Sequence, residues 1–318
     1  MILLTGATGF IGTRIQERIG EAGEPLRILT RRSLPPKEGT EYCPGDITSP
    51  EHCRRAMRGI RKVIHAAGEK KASGLFDPVN VRGTENLLAA ARRQGVERFV
   101  HVSSVGVIGA DVLSATTYGE NSPCRPKDLY EKSKLKAEQL VDEARAEGFP
   151  AIILRPANVF GERDPNVTFL NLARFIRKGW FFFPGGENAL ISAVYVGDVA
   201  AACLALSGQT PPRHGVYHLS CDVTLVDFIA NLAERMNVAM HCGTFPSVFV
   251  PAARGVIRQM ARLPLFAESD RFSRVMSLYN RARYESTRLN DDFGFTLPFG
   301  WQRGVERMIG YYQGEGFL

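Results

Sequence analysis

A glycine-rich turn directly after the first apolar segment constrains the fold of this chain more than any other feature. The chain opens with "MILLTGATGFIG", in which Gly6, Gly9 and Gly12 follow a buried-strand pattern and begin a helical one. In such a unit the first glycine permits a tight turn, the second lets the backbone approach a pyrophosphate, and the third allows close helix–strand packing. The N-terminus of the helix attracts the pyrophosphate charge, so the pattern predicts a dinucleotide site. The residues expected to line it are Gly6, Thr8, Gly9, Phe10, Ile11 and Gly12.

Apolar segments alternate with helical patterns through the first half of the chain. Helical patterns lie near 11–23, 80–94 and 130–147. The segments that are typical of buried strands are "MILLTG", "LRILTRR", "KVIHAAG", "RFVHVSS" and "AIILRP". Such alternation predicts an α/β fold, a Rossmann-like doubly wound parallel sheet with helices on both faces.

The second half of the chain is less regular. After about residue 158, Pro and Gly interrupt the pattern in "FFFPGGEN", "QTPPRHG" and "FGFTLPFGW". We predict a dinucleotide-binding domain at 1–160 and a smaller, mainly substrate-binding region at 161–318. The two are expected to be partly interleaved, because "AVYVGDVAAACLAL" within 190–220 is typical of a strand and a helix that return to the main sheet.

Composition excludes several classes of protein. The six cysteines are scattered without a Cys-x-x-Cys pair or clustered histidines, so neither a metal site nor a disulfide framework is expected. No apolar run approaches the ~20 residues that span a bilayer, and the N-terminus lacks a signal-peptide pattern, so we expect a cytoplasmic location. The net charge of +7 suits phosphorylated small molecules as well as nucleic acid. No nucleic-acid partner is expected, because no zinc finger or aromatic-basic strand motif occurs.

The predicted second strand ends in two arginines, Arg31 and Arg32 of "LTRRS". Dinucleotide folds usually offer an acidic residue there, which accepts hydrogen bonds from the adenosine ribose. Guanidinium groups cannot accept such bonds, but they pair well with a 2'-phosphate. The sequence therefore favours NADP, with NAD as the alternative. Under that alternative one arginine stacks on the adenine and the other faces solvent.

Two further segments are expected to approach the cofactor. Asp46, followed by Ile47 in "PGDI", comes after the third strand and is a candidate partner for the adenine amino group. The fourth strand ends in "HAAG", whose small residues would let the chain pass close beneath the cofactor. These small residues are Ala66, Ala67 and Gly68.

A tyrosine and a lysine occur four residues apart in "DLYEKSKLKAEQL". In a helix, Tyr130 and Lys134 would lie one turn apart on the same face. A nearby ammonium lowers the pKa of a phenol from its ordinary value of about 10, which makes the phenol a better proton donor and acceptor. Alternatively, both residues simply lie on the solvated face of an amphipathic helix.

Seven motifs in order carry a resemblance to a known family. They are "TGATGFIG", "GDI", "HAAG", "VNVRGTENLLAAARRQGVERFVHVSSVGVIG", "YEKSKLKAE", "LRPANVFG" and "VYVGDVAAA". This set resembles the extended short-chain dehydrogenase/reductase family, which includes NAD(P)-dependent epimerases, dehydratases and ketoreductases. The resemblance implies a Rossmann domain, a bound nicotinamide and a Ser-Tyr-Lys catalytic set.

Carried over by position, the catalytic set is Ser104, Tyr130 and Lys134, the serine standing five residues before Gly109. Tyr130 would supply a proton to the substrate oxygen. Lys134 would lower the pKa of Tyr130 and bind the nicotinamide ribose, and the Ser104 hydroxyl would orient the substrate oxygen. The neighbouring Ser103 either shares that task or bonds its own strand.

The resemblance also implies a role for the segment after the last strand of the first half, while other residues are interpreted from their place in the pattern. Backbone amides after the last strand of the first half, at Pro156, Asn158 and Val159, would line the nicotinamide. Asn80 and Thr84 are expected to make local bonds near the sheet, with contact to the cofactor as the alternative. His65 and His101 are expected to be satisfied core histidines.

The substrate is less clearly indicated. Relatives that act on nucleotide sugars often carry an Arg-Asp pair before "VYV", whereas this chain reads "ENALISAVYVGDVA". In having an uncharged residue there it resembles hydroxysteroid dehydrogenase-like and dihydroflavonol reductase-like members. The C-terminal "YESTRLNDDFGFTLPFGWQRGVERMIGYY" instead resembles bacterial sugar-modifying members. We interpret the protein as an NADP-preferring oxidoreductase that interconverts a ketone and a secondary alcohol on a small molecule, with a nucleotide sugar and a sterol-like compound as candidate substrates.

Two alternatives remain open at this point. One is a nucleotide-sugar epimerase or dehydratase, in which the hydride returns to the same substrate. The other is a non-catalytic NADP-sensing protein. The sequence also leaves open the stereochemistry and the oligomeric state, for which a homodimer is one option.

A basic stripe occurs in the last third of the chain. Arg254, Arg258 and Arg262 in "PAARGVIRQMARLPLF" recur every four residues and would share one helix face. Such a face could bind a diphosphate or an anionic membrane surface, or could simply be solvated.

Overall fold

A seven-stranded parallel sheet forms the centre of the molecule, in the strand order β11-β7-β5-β4-β1-β2-β3. The computed structural model describes residues 1–183, 189–244, 249–260 and 278–318. The strands are β1 (Ile2–Thr5), β2 (Leu26–Thr30), β3 (Thr40–Pro44), β4 (Lys62–His65), β5 (Arg98–Val102), β6 (Thr117–Tyr118), β7 (Ala151–Pro156), β8 (Asn158–Phe160), β9 (Trp180–Phe183), β10 (Leu190–Tyr195), β11 (Val216–Leu219), β12 (Cys221–Thr224), β13 (His241–Thr244) and β14 (Arg283–Tyr284).

Helices cover both faces of this sheet, which confirms the predicted fold class. In chain order they are α1 (Phe10–Glu21), α2 (Pro50–Met57), α3 (Gly83–Gln94), α4 (Leu129–Ala146), α5 (Thr168–Ile176), α6 (Val196–Leu206), α7 (Leu225–Arg235), α8 (Val250–Met260), α9 (Arg288–Phe293) and α10 (Gly300–Gly314). Helices α1 and α6 pack on one face of the sheet, and α2, α3 and α4 pack on the other. No helix in the described residues is long and apolar enough to cross a bilayer.

The chain reverses its direction of travel across the sheet at β1. It winds from β1 to β3 on one side and then crosses over to β4, so β1 lies between β2 and β4, with Ile2 opposite Leu26 and Lys62. In open parallel sheets ligands bind beyond the carboxyl ends of the strands at such a switch point. The glycine turn after β1 occupies this position.

A smaller lobe surrounds a second core. Strands β8, β10 and β12 form a three-stranded sheet, and α5, α7 and α10 contribute to the same apolar cluster. Aromatic rings dominate it, with Phe160 in contact with Phe169, Tyr195 and Phe228. This lobe begins immediately after β7, close to the carboxyl ends of the main sheet.

One prediction about the main sheet is wrong. The strand of "AVYVGDVAAACLAL", β10, belongs to the three-stranded sheet, because Ala193 and Tyr195 pack into the second core. The Ser192 hydroxyl on this strand donates to the Ala282 carbonyl at 3.3 Å. The following segment does return: α6 packs against α1, and β11 pairs with β7 at the edge of the main sheet.

A buried ion pair joins α4 to the sheet. The Arg155 Nη2 on β7 lies 2.6 Å from the Glu138 Oε2 on α4, and the two side chains are 5% and 1% exposed. The Arg155 Nε also donates to both carboxylate oxygens of Glu138. Breaking such a pair leaves an uncompensated buried charge, so the pair holds α4 at one position along β7.

The packing of the glycine turn predicts a difference between two glycine variants. A Cβ at Gly12 would lie 2.0 Å from the Gly6 carbonyl oxygen, so Gly12→Ala should destabilise the fold by about 1–3 kcal/mol. Gly310 lies in α10 with no atom within 4 Å of its Cβ position, so Gly310→Ala should stabilise by about 0.4–1 kcal/mol. Urea unfolding measures both. Equal effects of the two substitutions would contradict the close packing of the turn.

Candidate functional site

The turn between β1 and α1 forms a compact backbone cradle. Gly6 has a φ of +75°, and a Cβ there would lie 2.5 Å from the Ala67 amide nitrogen. The Thr13 N–H and the Thr13 hydroxyl both donate to the Gly9 carbonyl at 2.9 Å, and the backbone bond closes the first turn of α1. The N–H groups at the start of α1 have no side-chain cap. Glycines without room for a Cβ beside a free helix N-terminus fit the pyrophosphate of a dinucleotide.

The carboxyl ends of β2 and β3 bring two predicted cofactor residues together. The Arg31 Nη1 lies 3.5 Å from the Asp46 Oδ2, with the side chains 70% and 30% exposed. The other Asp46 oxygen accepts the Thr48 N–H at 2.9 Å. In the described part of the chain Arg32 forms no ion pair. The end of β2 therefore presents two exposed guanidinium groups, and that of Arg31 is ion-paired with Asp46.

The end of β4 passes beside the glycine turn as predicted, with Ala67 close to Gly6. Ala66 lies equally close, and the Gly68 Cβ position is 3.4 Å from the Asn80 Oδ1. Ile47 is expected from the sequence to approach the cofactor, but its side chain is 7% exposed and packs in the core between the sheet and its helices. Only its backbone borders the sheet edge, where its carbonyl accepts the Asn86 amide at 3.0 Å.

A capping box places Tyr130 at the start of α4. The Asp128 carboxylate accepts the Glu131 N–H at 2.7 Å, and the Glu131 carboxylate accepts the Asp128 N–H. The helix therefore begins at Leu129, one residue before Tyr130. Burial raises the pKa of Tyr130 to about 12, and the charges of Asp128 and Glu131 act in the same direction.

Lys134 lies one turn further along α4 and points toward β5. It is 4% exposed, its Nζ donates to the Val102 carbonyl at 2.7 Å, and it lies 3.4 Å from the His101 Nε2. Burial lowers the pKa of Lys134 to about 8, although the Glu138 carboxylate opposes the shift. The expectation that Lys134 lowers the pKa of Tyr130 is not met in this arrangement, because burial and two carboxylates dominate the phenol.

The two serines after β5 differ in their hydrogen bonds. The Ser104 Oγ accepts the Gly106 N–H at 3.1 Å and caps the short 3₁₀ helix Val105–Ile108. The Ser103 N–H donates to the Leu154 carbonyl at 2.7 Å, but its buried Oγ has no partner among the described residues. Because Ser104 accepts a bond, its own hydrogen stays available for donation.

His65 is a satisfied core histidine, as predicted. Its Nδ1 lies 2.7 Å from the Thr5 Oγ1, and its Nε2 lies 3.0 Å from the Thr84 Oγ1. The Thr84 hydroxyl donates to the Asn80 carbonyl at 2.6 Å, so His65 donates through Nε2 and accepts through Nδ1. Burial lowers the pKa of His65 to about 3, and the ring is therefore neutral.

Asn80 extends this network to α4. It lies in a π-helical segment, Phe76–Arg82, that precedes α3, and its Nδ2 donates to the Ser133 Oγ at 2.9 Å. The Ser133 hydroxyl in turn donates to the Tyr130 carbonyl at 2.7 Å. Local bonding by Asn80 and Thr84 is thus confirmed, and it holds the start of α4 against the end of β4.

The residues after β7 enter the second lobe. Pro156 is the last residue of β7, and Asn158 and Val159 lie on β8. Asn158 is exposed, and its Nδ2 donates to the Ser192 carbonyl at 3.0 Å. The amides predicted to line the nicotinamide therefore lie where the main sheet meets the second lobe.

The arginine stripe lies only partly within the described residues. Arg254 and Arg258 are on α8, as the helical prediction requires, and Arg262 lies outside the described ranges. The Arg258 Nη2 pairs with the Asp111 Oδ2 at 3.1 Å, and both side chains are about half exposed. A role for the stripe in binding stays a prediction.

Two side chains near Tyr130 were not predicted from the sequence. The Phe76 ring meets the Tyr130 ring edge-on, with centroids 6.0 Å apart. The Lys70 Nζ lies 5.9 Å from the centroid of the Tyr130 ring. The charge of Lys70 also lowers the pKa of the nearby Asp164, although burial raises that pKa overall to about 6. These residues are distant from Tyr130 in sequence, so no local pattern could indicate the contacts.

Comparisons with known proteins agree with this geometry. The family model described as "NAD dependent epimerase/dehydratase family" matches residues 2–218. One relative is the N-acetyl-alpha-D-glucosaminyl-diphospho-ditrans,octacis-undecaprenol 4-epimerase of Escherichia coli O157:H7, 27% identical, with 98% of this chain and 94% of the relative covered. Another is the 4-hydroxy-2-methyl-3-oxo-4-farnesyl-3,4-dihydroquinoline-1-oxide ketoreductase of Stigmatella aurantiaca, 31% identical, with coverages of 76% and 75%.

A solved structure shares the whole architecture. The UDP-glucose 4-epimerase of Thermus thermophilus, in complex with NAD, superimposes with a TM-score of 0.71. The two chains are 25% identical, and the match covers 98% of this chain and 99% of that one. The cradle after β1 and the start of α4 thus belong to an architecture that binds a nicotinamide dinucleotide in that relative.

The burial of Lys134 predicts a distinct pH dependence of stability. Between pH 8 and 10.5 the unfolded chain keeps the Lys134 proton and the folded chain loses it, so folding stability gains with rising pH. Lys134→Met removes this gain. The difference in unfolding free energy between wild type and variant should therefore change by about 1 kcal/mol or more across that window.

Urea unfolding at pH 7, 8, 9 and 10 measures the difference. Lys136→Met removes an exposed ammonium from the same helix and controls for the loss of one positive charge. Parallel stability curves for wild type and Lys134→Met would contradict the burial of the ammonium.

Proposed function

This chain belongs to the NAD-dependent epimerase/dehydratase family, among the extended short-chain dehydrogenases/reductases, and within it we propose an NADP-preferring oxidoreductase that interconverts a ketone and a secondary alcohol. The observation that carries the proposal is the end of β2. It presents Arg31 and Arg32, both exposed, where a carboxylate would suit the ribose diol of NAD. Guanidinium groups there favour a cofactor with a 2'-phosphate.

The cofactor would be held by groups along the carboxyl edge of the sheet. The turn amides around Gly9 would hold the pyrophosphate, and the small residues Ala66 and Ala67 would let the backbone pass close beneath the cofactor. Asn158 and Val159 would line the nicotinamide, and Lys134 would bind the ribose. A bound nicotinamide supplies or takes up the hydride.

Tyr130 is the proposed acid and base. In a reduction its Oη holds a proton and transfers it to the substrate oxygen, and in an oxidation it takes the proton back. A pKa of about 12 is too high for efficient exchange near neutral pH, so the phenolate needs a cation. Lys70, whose Nζ lies 5.9 Å from the centroid of the Tyr130 ring, is the first proposed cation, and Lys134, one turn along α4, is the second.

Ser104 is the proposed second donor to the substrate oxygen. Its Oγ already accepts the Gly106 N–H, so the hydroxyl hydrogen can point toward a carbonyl. Such a donor stabilises the negative charge that develops on the oxygen during hydride transfer. Ser103, whose buried hydroxyl has no partner among the residues that the structure describes, can share this role.

Strand β10 supports a net oxidoreductase that acts on an uncharged substrate. Ile191 is partly buried against the second core, and Ser192 bonds the Ala282 carbonyl. Neither residue offers a cation for a nucleotide diphosphate. The ketoreductase relative from Stigmatella aurantiaca, whose name specifies a farnesylated substrate, supports the same interpretation.

The second candidate is a 4-epimerase of a diphosphate-linked sugar. It is favoured by the Escherichia coli relative, which matches this chain along nearly its whole length. An epimerase returns the hydride to its substrate, so the nicotinamide absorbance shows no net change. A third candidate, a non-catalytic NADP sensor, would bind the cofactor without turnover.

Cofactor selection is tested by changing both arginines at the end of β2. Arg31→Gln with Arg32→Gln should weaken NADP binding by about 1–3 kcal/mol for each lost charge-assisted contact, while NAD binding stays the same. Fluorescence titration of both cofactors measures this. Arg58→Gln with Arg93→Gln removes equal charge from exposed positions elsewhere and serves as the control. Tighter binding of NAD than of NADP by the wild type would overturn the preference.

The role of Tyr130 is tested by removing its hydroxyl. Tyr130→Phe should retain NADP binding and lower turnover of a confirmed ketone by about 10²- to 10⁴-fold. Reduction by the wild type should fall as pH rises through the apparent pKa of the tyrosine, whereas oxidation should rise. Tyr42→Phe, on β3, is the matched control. Near-normal turnover by Tyr130→Phe would make Tyr130 a packing residue.

A further inference from the structure

His101 lies in the buried middle layer of the molecule, directly behind Lys134. It is 1% exposed, and its Nε2 is 3.4 Å from the Lys134 Nζ. Its Nδ1 has no hydrogen-bond partner among the described residues. The predicted role of a satisfied core histidine therefore does not hold for His101: its one polar contact there is the ammonium of the proposed catalytic lysine.

The chemistry of this contact fixes the state of the ring. An ammonium only donates, so the His101 Nε2 must carry a lone pair and the ring hydrogen must be on Nδ1. That Nδ1–H then lies in the core without an acceptor among the described residues, which disfavours folding. A phenylalanine would fill similar space without an unpaired donor. The contact with Lys134 is what distinguishes the imidazole from an apolar side chain here.

His65 and Glu138 near the pair are already bonded to other residues, so the ring hydrogen of His101 is free to adapt to Lys134. The His65 ring centroid is 5.1 Å from that of His101, but both His65 nitrogens are already bonded to threonines. Glu138 raises the pKa of Lys134 through space while its carboxylate is engaged by Arg155. The titratable groups that act on the pair are His65 on β4 and Glu138 on α4, and Glu138 is paired with Arg155 on β7.

We propose that His101 is a positioning residue for Lys134: as a neutral acceptor it holds the ammonium, together with the Val102 carbonyl, at the carboxyl end of β5 and keeps it charged near neutral pH. The inference rests on the proposed function, in which the charged Lys134 serves the cofactor ribose and the phenolate of Tyr130. Without this acceptor, the buried ammonium keeps one carbonyl partner and loses its proton more readily.

The wild-type protein provides the first test. Nitrogen NMR of ¹⁵N-histidine-labelled protein at pH 6, with the His101 signals assigned by their loss in His101→Gln, reports which ring nitrogen carries the hydrogen. The proposal requires the Nδ1–H tautomer. An Nε2–H tautomer or a charged ring would overturn it, because neither can accept from the ammonium.

Variants provide the second test. His101→Phe should lower the pKa of Lys134 by about one unit, a tenfold change in its ionisation equilibrium, and shift the alkaline loss of NADP binding by the same amount. His101→Gln keeps an oxygen acceptor and should stay close to wild type. Val100→Ala on the same strand controls for general destabilisation.

The readouts are the ¹³Cε shift of Lys134 and the NADP dissociation constant, each measured against pH. An unchanged Lys134 pKa in folded His101→Phe would overturn the proposal, and if that variant does not fold, the wild-type tautomer decides. Neither readout needs a substrate. A failure to find ketone turnover would thus count against the proposed function alone. The role of His101 would still be decided by the Lys134 pKa and the His101 tautomer.

Discussion

The buried ion pair between Arg155 and Glu138 is the interaction on which the site depends. Two charges removed from water are tolerated only when they are paired and hydrogen-bonded, so α4 docks on β7 at one height. Lys134 lies one turn before Glu138 and Tyr130 two turns before it. The same docking that satisfies the pair therefore brings both side chains to the carboxyl edge of the sheet, beside the turn where the strand order reverses.

Burial shifts the pKa values of the tyrosine and the lysine in opposite directions. Burial and two carboxylates raise the pKa of Tyr130 to about 12, while burial lowers that of Lys134 to about 8. Each shift disfavours the charged form that catalysis would use. In the proposed mechanism the phenolate forms only while cations stand near it. The Val102 carbonyl accepts from one such cation, Lys134, and in our proposal the His101 ring helps to hold it.

Much of the fold could be predicted from the sequence, because the turn glycines and the apolar strand segments are local signals. The place of β10 could not, since "LISAVY" suits a buried strand in either sheet and only the packing of Tyr195 decides between them. The pKa of Tyr130 depends on burial, which the Tyr-x-x-x-Lys spacing does not reveal. The contacts of Lys134 with His101 and of Tyr130 with Phe76 join residues far apart in sequence.

The central claim is that the carboxyl edge of this sheet carries out a net hydride transfer between NADPH and a carbonyl. Its most direct measurement uses NADPH deuterated at the transferring position of the nicotinamide, incubated with the protein and a panel of ketones, with product mass and nicotinamide absorbance followed together. We expect one deuterium in the product alcohol for each NADPH oxidised. A substrate that isomerises while the absorbance stays constant and no deuterium is incorporated would contradict the claim.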